Sequence, residues 1–87
     1  MKLFREAGAI FLVRGNCPQF ASSIHTVNYI FGETKNPYDI QRSAGGSSGG
    51  NSALIAAHCV PYCLGSDTGG SLRYPAAFCG IYAFKPT

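Results

Sequence analysis

The first part of the chain has the pattern of a helix followed by a strand. Over residues 2–7 the apolar side chains fall on one face of a helix and the charged side chains on the other, and Gly8 provides a stop. Residues 9–13 (AIFLV) are apolar at every position and rich in β-formers. This is typical of a strand covered on both faces in a parallel sheet, so we expect it to be buried.

The middle of the chain, residues 14–43, lacks a regular hydrophobic pattern. Residues that break helices and strands interrupt it throughout, namely Gly15, Asn16, Pro18, Gly32, Asn36 and Pro37. A long irregular segment is usually functional or belongs to a larger assembly. We therefore expect an extended loop here.

The last part of the chain returns to helices and strands. Helices are predicted over residues 51–58 and 72–79, the second with Gly80 as a left-handed cap. Short strands are predicted over residues 60–64 and 81–84. Helices and strands in alternation predict an α/β fold with parallel pairing, in which helices flank a mixed β-sheet core.

Composition indicates a packed chain whose surface is under-supplied with charge. Of the 87 residues, 46% are hydrophobic and 13% are charged, which excludes a disordered protein. A typical domain has about a quarter of its residues charged, so some faces are expected to be covered by other parts of a protein. We interpret the chain as a piece of a larger domain.

Charge and cysteine content exclude several other classes. The net charge of +3 comes from scattered cations, without the basic stripe of a nucleic-acid site, so no nucleic-acid partner is expected. The longest apolar run, residues 9–13, is too short to cross a membrane. Cys17, Cys59, Cys63 and Cys79 lack paired zinc-ligand spacings, so we expect structural or free thiols in a reducing compartment.

Two Gly/Ser-rich turns, residues 45–50 (GGSSGG) and 65–71 (GSDTGGS), are the candidates for chemistry. A flexible linker is disfavoured because the first turn runs directly into a helix, and a P-loop would need a lysine that is absent. The G-x-S-x-G spacing around Ser48 resembles a nucleophile elbow, but no strand is predicted before it and no histidine follows Asp67. An aspartic-protease lobe at Asp67 would need a second aspartate.

A fourth interpretation uses both turns together. Successive backbone N–H groups at a helix start form donors suited to an oxyanion, here those of Thr68, Gly69, Gly70 and Ser71. Ser71 would be the nucleophile. Ser47 could accept its proton and pass another on, because a hydroxyl both donates and accepts.

Three further residues are expected to support these turns structurally. Asp67 and Arg73 flank the nucleophile, and a charge-assisted hydrogen bond within the turn explains them better than contact with substrate. Ser48 is assigned to the same supporting role.

In order along the chain, these blocks resemble the amidase signature family. The matching blocks are residues 45–50 (GGSSGG), 65–73 (GSDTGGSLR), 75–76 (PA), 79–80 (CG) and 85–87 (KPT), with weaker matches at residues 8–9, 16, 18–19 and 36–37. Ala44 and Ala83 depart from a usual proline and a usual glycine, and both are small. Residues 1–87 are thus identified as a partial amidase domain with both ends of the family domain missing.

The resemblance implies a serine amidase that works through an acyl-enzyme and a Ser-cisSer-Lys triad. By motif position Ser71 resembles the nucleophile and Ser47 the bridging serine, whose peptide bond is cis. None of Lys2, Lys35 and Lys85 matches the motif of the family's base lysine, so this segment is expected to be inactive alone. The resemblance implies no metal and no organic cofactor.

Within the family, residues 16–19 (NCPQ) and Tyr74 resemble the fatty-acid amide hydrolase branch. That branch implies a small-molecule or lipid amide substrate, a homodimer of the full-length enzyme and membrane association. The residues do not fix the location of the protein, although they favour an intracellular one. Two alternatives stay open, a non-catalytic remnant and a glutamyl-tRNA amidotransferase A-type subunit.

Overall fold

A computed structural model describes all 87 residues and contains short helices and two small sheets. The α-helices are α1 (Lys2–Glu6), α2 (Gly49–Ala56) and α3 (Arg73–Cys79), and a 3-10 helix covers Gln19–Ala21. Each α-helix lies within two residues of its predicted bounds, and Gly80 caps α3 in the left-handed conformation, with φ 65° and ψ 34°. The mixed α/β class and the three helices are confirmed.

Both sheets are two-stranded, antiparallel and confined to the segment predicted to be a loop. Strand β1 (Val27–Asn28) pairs with β2 (Gly32–Glu33), and β3 (Lys35–Asn36) pairs with β4 (Asp39–Ser43), with an irregular register in β3. Three of these strands have only two residues. Strands this short contain no alternating pattern that a sequence analysis can detect.

Asparagine side chains shape the turns between these strands. Asn28 Oδ1 accepts hydrogen bonds from the N–H groups of Ile30 (3.0 Å) and Phe31 (2.8 Å), which turns the chain from β1 into β2. Asn36 Oδ1 accepts from the Tyr38 N–H at 3.0 Å between β3 and β4. Asn28 and Asn36 therefore shape two hairpins in the segment predicted to be a loop.

The predicted parallel strands are wrong. Residues 9–13, 60–64 and 81–84 contain no strand, so the expected mixed sheet with parallel pairing is replaced by two antiparallel pairs. A strand needs a hydrogen-bonded neighbour, and these segments find none within the chain. Most of their large apolar side chains are exposed instead, as for Ile10 (83%) and Phe84 (84%).

The hydrophobic core is small and lies between the first Gly/Ser turn, α2 and α3. Its buried members are Ala44, Ala56 and Cys79, and Ala53 and Ile81 pack against them. The Cys79 thiol donates to the Ala44 carbonyl at 3.4 Å, and burial raises the pKa of this thiol. This contact fixes the end of α3 against the residue that precedes the first turn.

Asn36 ties the second hairpin to the same core. It is buried, and its Nδ2 donates to the Phe78 carbonyl in α3 at 2.7 Å. All four cysteines are free thiols. None of the helices combines the length and the apolar character needed to span a membrane.

Candidate active site

The first Gly/Ser turn connects β4 to α2 and is buried along its whole length. Ser47 is 3% exposed, and the peptide bond between Gly46 and Ser47 is cis, as the resemblance implies. A Cβ on Gly46 would lie 2.5 Å from the Ser23 carbonyl oxygen and 2.9 Å from the His25 nitrogen. Only glycine therefore fits beside Ser47.

Thr26 lies at this turn although it is distant in sequence. Its side chain is fully buried, and its hydroxyl donates to the Gly45 carbonyl at 2.8 Å and accepts from the Gly49 N–H at 3.1 Å. No role was expected of Thr26 from the sequence. A single threonine in a polar segment carries no recognisable signal, and only its burial in the folded chain identifies it.

The second Gly/Ser turn precedes α3 and is organised by Asp67. The side chain of Asp67 is inaccessible to solvent. Its carboxylate accepts from the backbone N–H groups of Gly70 (2.6 Å), Leu72 (3.1 Å) and Arg73 (3.3 Å). One carboxylate thus holds the chain on both sides of Ser71.

Arg73 completes this arrangement with a two-pronged ion pair. Its Nε donates to Asp67 Oδ2 and its Nη2 to Asp67 Oδ1, both at 2.9 Å. The Arg73 guanidinium, with the three backbone donors, holds the pKa of the Asp67 carboxyl well below its usual range. The pair raises the pKa of Arg73 in turn. These contacts join the second turn to the start of α3.

The predicted oxyanion donors are not all available. The Gly70 N–H donates to Asp67 at 2.6 Å, so it is not free to bind an oxyanion. A short ring between a carboxylate and the N–H three residues later satisfies that donor locally. The oxyanion role expected of the Thr68, Gly69 and Ser71 N–H groups stays a prediction.

The structure brings the two turns into direct contact. The Ser48 N–H donates to the Ser71 carbonyl at 3.1 Å, and the Ser48 hydroxyl donates weakly to the Ser66 carbonyl at 3.5 Å. Ser47 and Ser71 are 24 residues apart in sequence, yet they belong to two turns joined by this backbone bond. Ser48 therefore links the turns.

None of the three lysines makes its polar contact in either turn. Lys2 pairs with Glu6 at 3.7 Å, Lys35 pairs with Glu33, and the Lys85 ammonium donates to the Pro86 carbonyl at 2.6 Å. All three lysines thus make their polar contacts away from Ser47 and Ser71.

An apolar groove of about 670 Å³ lies beside the site, between α2, α3 and the C-terminal residues. Ser48 and Leu72 belong to its wall, whereas Ser47 and Ser71 do not. Cys63 also lines it, and burial raises the pKa of that thiol. The groove is therefore a neighbour of the candidate site and not its centre.

Comparison with known proteins defines the family. A family model described as Amidase matches residues 1–87, the whole chain. The chain belongs to the amidase family. Among solved structures, an amidase crystal structure is 41% identical with a TM-score of 0.82 over 86% of this chain and 17% of that chain. A chain from an inhibitor-bound vestigial protein complex, which reveals the evolutionary origins of an s-triazine catabolic enzyme, is 54% identical with a TM-score of 0.72 over 75% of this chain and 14% of that chain.

Curated amidase relatives share about half of the residues of this chain. The A-type subunit of a glutamyl-tRNA(Gln) amidotransferase from Geobacillus sp. is 53% identical over 100% of this chain and 18% of its own length. Proteins of the same name from Legionella pneumophila and Methanosarcina barkeri are 51% and 53% identical, over 97% and 93% of this chain and 17% of their own lengths. This amidase chain thus spans less than a fifth of the relatives it matches.

These relatives correct two expectations from the sequence. The fatty-acid amide hydrolase branch is wrong, because the relatives at 51–53% identity are named as A-type subunits of glutamyl-tRNA(Gln) amidotransferase. Tyr74, which suggested that branch, is 45% exposed, and Cys17 is also exposed, so neither position is constrained by burial. The expected partners, a small-molecule or lipid amide alone and no nucleic acid, are wrong as well, because the relatives' name includes both a subunit designation and a tRNA.

Proposed function

We propose that this chain is the nucleophile-bearing part of an amidotransferase A-type subunit, with Ser71 as the nucleophile of amide hydrolysis. The hydrogen bond from the Ser48 N–H to the Ser71 carbonyl, 3.1 Å long, carries the proposal, because it brings the turns of Ser47 and Ser71 together. The branch is supported by the 51–53% identity to relatives named as A-type subunits of glutamyl-tRNA(Gln) amidotransferase.

In this proposal the Ser71 hydroxyl attacks the carbonyl carbon of a primary carboxamide. Ser47 accepts the proton of Ser71 and passes its own proton to a base, while the N–H groups of Thr68, Gly69 and Ser71 stabilise the oxyanion. The C–N bond then breaks, and the nitrogen leaves as ammonia after taking up a proton. Water releases the acyl group from Ser71 as a carboxylic acid.

The base is expected to come from outside these 87 residues. Lys2, Lys35 and Lys85 make their polar contacts elsewhere, as described above. A lysine acts as a base only when burial lowers its pKa from a reference value of about 10.4. The matched relatives are more than five times longer than this chain, because it covers 17–18% of their length. A buried lysine elsewhere in a protein of that size would complete the proposed triad.

For the whole protein we propose glutamyl-tRNA(Gln) as the acceptor of the released nitrogen and other protein subunits as partners. The support is the name shared by the three relatives described above. Scattered cations on this chain do not argue against a tRNA substrate, because the tRNA would contact other parts of a larger complex.

The test is a comparison of Ser71→Ala with Ser66→Ala in the full-length protein. Ser66 lies in the same turn with an exposed side chain, so its alanine variant should keep wild-type activity. Ser71→Ala should reduce ammonia release from a carboxamide by at least about 10³-fold and abolish labelling by a fluorophosphonate. Ammonia release that persists in Ser71→Ala would overturn the assignment of the nucleophile.

The branch is tested separately by amide transfer. With its partner subunits, the wild-type protein should convert glutamyl-tRNA(Gln) to the amidated product, and Ser71→Ala should not. Efficient carboxamide hydrolysis without any transfer to the tRNA in the assembled complex would contradict the amidotransferase assignment and retain the hydrolase.

A further inference from the structure

Thr26 lies immediately before β1, outside both Gly/Ser turns, and its hydroxyl bonds to the turn that contains Ser47. We infer that Thr26 is a positioning residue for Ser47, an inference that rests on the proposed roles of Ser47 and Ser71. It would act through the backbone of the turn and make no contact with substrate.

The hydroxyl of Thr26 joins the two arms of the turn. It donates to the Gly45 carbonyl at 2.8 Å and accepts from the Gly49 N–H at 3.1 Å. Gly45 and Gly49 lie two residues before and two residues after Ser47. The Ser47 carbonyl is 3.4 Å from the same hydroxyl, so the shorter contact to Gly45 takes its single proton. One side chain thus fixes the width of the turn around Ser47.

The bond to Gly49 satisfies a donor that the helix cannot satisfy itself. Gly49 is the first residue of α2, and the first N–H groups of a helix have no partner within it. Gly49 is buried, so water does not replace the Thr26 hydroxyl there. Removal of that hydroxyl would leave a buried N–H unpaired and free the turn to shift.

The segment around Thr26 is itself held in place. The Thr34 N–H donates to the Thr26 carbonyl at 2.9 Å, which extends the pairing of β1 and β2 to this residue. On the other side, the Ser23 carbonyl and the His25 nitrogen lie against Gly46, which precedes Ser47. Thr26 therefore connects the first hairpin to the turn that contains Ser47.

A displaced Ser47 would impair proton transfer from Ser71 more than binding of the substrate. Catalytic groups shifted by about 1 Å can lose about 100-fold in rate, because proton transfer requires hydrogen-bond distance. Substrate affinity depends on other contacts. We therefore expect substitution of the Thr26 hydroxyl to lower kcat with little change in KM.

The experiment measures the rate of fluorophosphonate labelling of Ser71, with kcat and KM for a carboxamide, in the full-length protein. Thr26→Val keeps the shape of threonine and removes the hydroxyl, and it should lower the labelling rate and kcat by about 30-fold to 100-fold, with KM within about threefold. Thr26→Ser keeps the hydroxyl and should stay within about threefold of wild type.

Thr26→Cys provides a readout that does not depend on the folding of the valine variant. A thiol is a weak donor and a weak acceptor, so this variant should be at least about tenfold slower than Thr26→Ser although the two are similar in size. Equal labelling rates for the threonine, serine and cysteine proteins would overturn the inference, because the rate would not follow hydrogen-bond strength.

Thr34→Val is the matched control. Thr34 is half-buried, and its hydroxyl accepts from Asn16 Nδ2 at 3.0 Å and makes no hydrogen bond to the turn of Ser47. Valine at this position keeps the backbone hydrogen bonds of Thr34 to Thr26 and Ala44. Its labelling rate should stay within about twofold of wild type. A loss in Thr34→Val as large as in Thr26→Val would mean general destabilisation and overturn the inference. Labelling that persists in Ser71→Ala would instead refute the proposed function, so the two failures are distinguishable.

Discussion

At the scale of single residues, Asp67 has the most strongly perturbed environment in the chain. Its carboxylate is inaccessible to solvent and accepts hydrogen bonds from three backbone N–H groups and from the guanidinium of Arg73. All of these donors favour the ionised form, and Arg73 has the largest effect on the lowered pKa. The shape of the turn around Ser71 therefore depends on a charged Asp67.

We expect Asp67 to make stability depend on pH in the acid range. Its pKa is lowered on folding, so its contribution is fully present above the unfolded value of about 3.9 and is lost as the pH falls from there towards the folded value. Thermal unfolding of the full-length protein between pH 7 and pH 2 measures this loss. Asp67→Asn should lower Tm at pH 7 and flatten the decline of Tm below about pH 4.

Arg73→Lys is the companion variant for this measurement. It keeps the positive charge but loses the two-pronged contact, so Tm at pH 7 should fall less than in Asp67→Asn, and part of the acid decline should remain. An acid decline in Asp67→Asn as steep as in the wild type would show that other carboxylates cause it.

At the scale of elements, the first Gly/Ser turn packs directly on the first turn of α3. Gly45 has φ +81°, and a Cβ there would lie 2.7 Å from Pro75 Cα. Gly80, which caps α3, has φ +65° and no atom near its would-be Cβ. The two glycines thus share a left-handed backbone and differ in the space around them.

We expect Gly45→Ala to destabilise the protein more than Gly80→Ala. The left-handed backbone alone should cost about 1–2 kcal/mol in both variants. The contact with Pro75 should add about 1–3 kcal/mol in Gly45→Ala only, because a buried turn and a helix backbone must move apart. Denaturant unfolding of both variants measures the difference. Equal losses would show that α3 can move away from the turn freely.

Elements differed in how far the sequence predicted them. The three α-helices were predicted because each has a local signal, such as Gly80 for the end of α3. The strands were not, because pairing is a property of two segments. Residues 9–13 have the composition of a buried strand without a neighbour in this chain, whereas Val27–Asn28 becomes a strand only through its pairing with Gly32–Glu33.

At the scale of the whole molecule, the chain exposes an unusual amount of apolar surface. Only 16 of 87 residues are buried, and the buried hydrophobic residues are three alanines and Cys79. Large apolar side chains lie on the surface instead, among them Ile10, Leu12, Tyr82 and Phe84. Apolar surface on this scale is typical of regions that other protein segments cover.

We therefore expect the 87-residue chain on its own to self-associate and to bind the dye ANS. Light scattering after gel filtration and ANS fluorescence measure the two effects. Replacing Leu12 and Phe84 together by lysine should reduce self-association and ANS binding. Both side chains are exposed (69% and 84%) and lie outside the hydrophobic core. The control is Lys2→Gln with Arg42→Gln, which changes exposed charges and should not reduce either effect. A monomeric wild-type chain without ANS fluorescence would contradict this expectation.

The sequence by itself determined the family and the helices, because each depends on residues close together along the chain. The spacing of GGSSGG and GSDTGGS made Ser47 and Ser71 the candidates for catalysis, a role that stays a prediction, and the flanking charges predicted the ion pair of Asp67 and Arg73. The fatty-acid amide branch failed because it rested on a few positions, of which Tyr74 and Cys17 are exposed and free to vary.

Only the tertiary structure decided which distant residues meet. No local sequence pattern indicates three of its contacts. Ser48 bonds to Ser71, the Thr26 hydroxyl bonds across the turn of Ser47, and the Gly70 N–H donates to Asp67. Each depends on the direction of one donor towards one acceptor after the chain has folded. A hydrogen bond requires a donor–acceptor distance correct to within a few tenths of an ångström and a nearly linear N–H···O angle. The order of residues along the chain does not specify either.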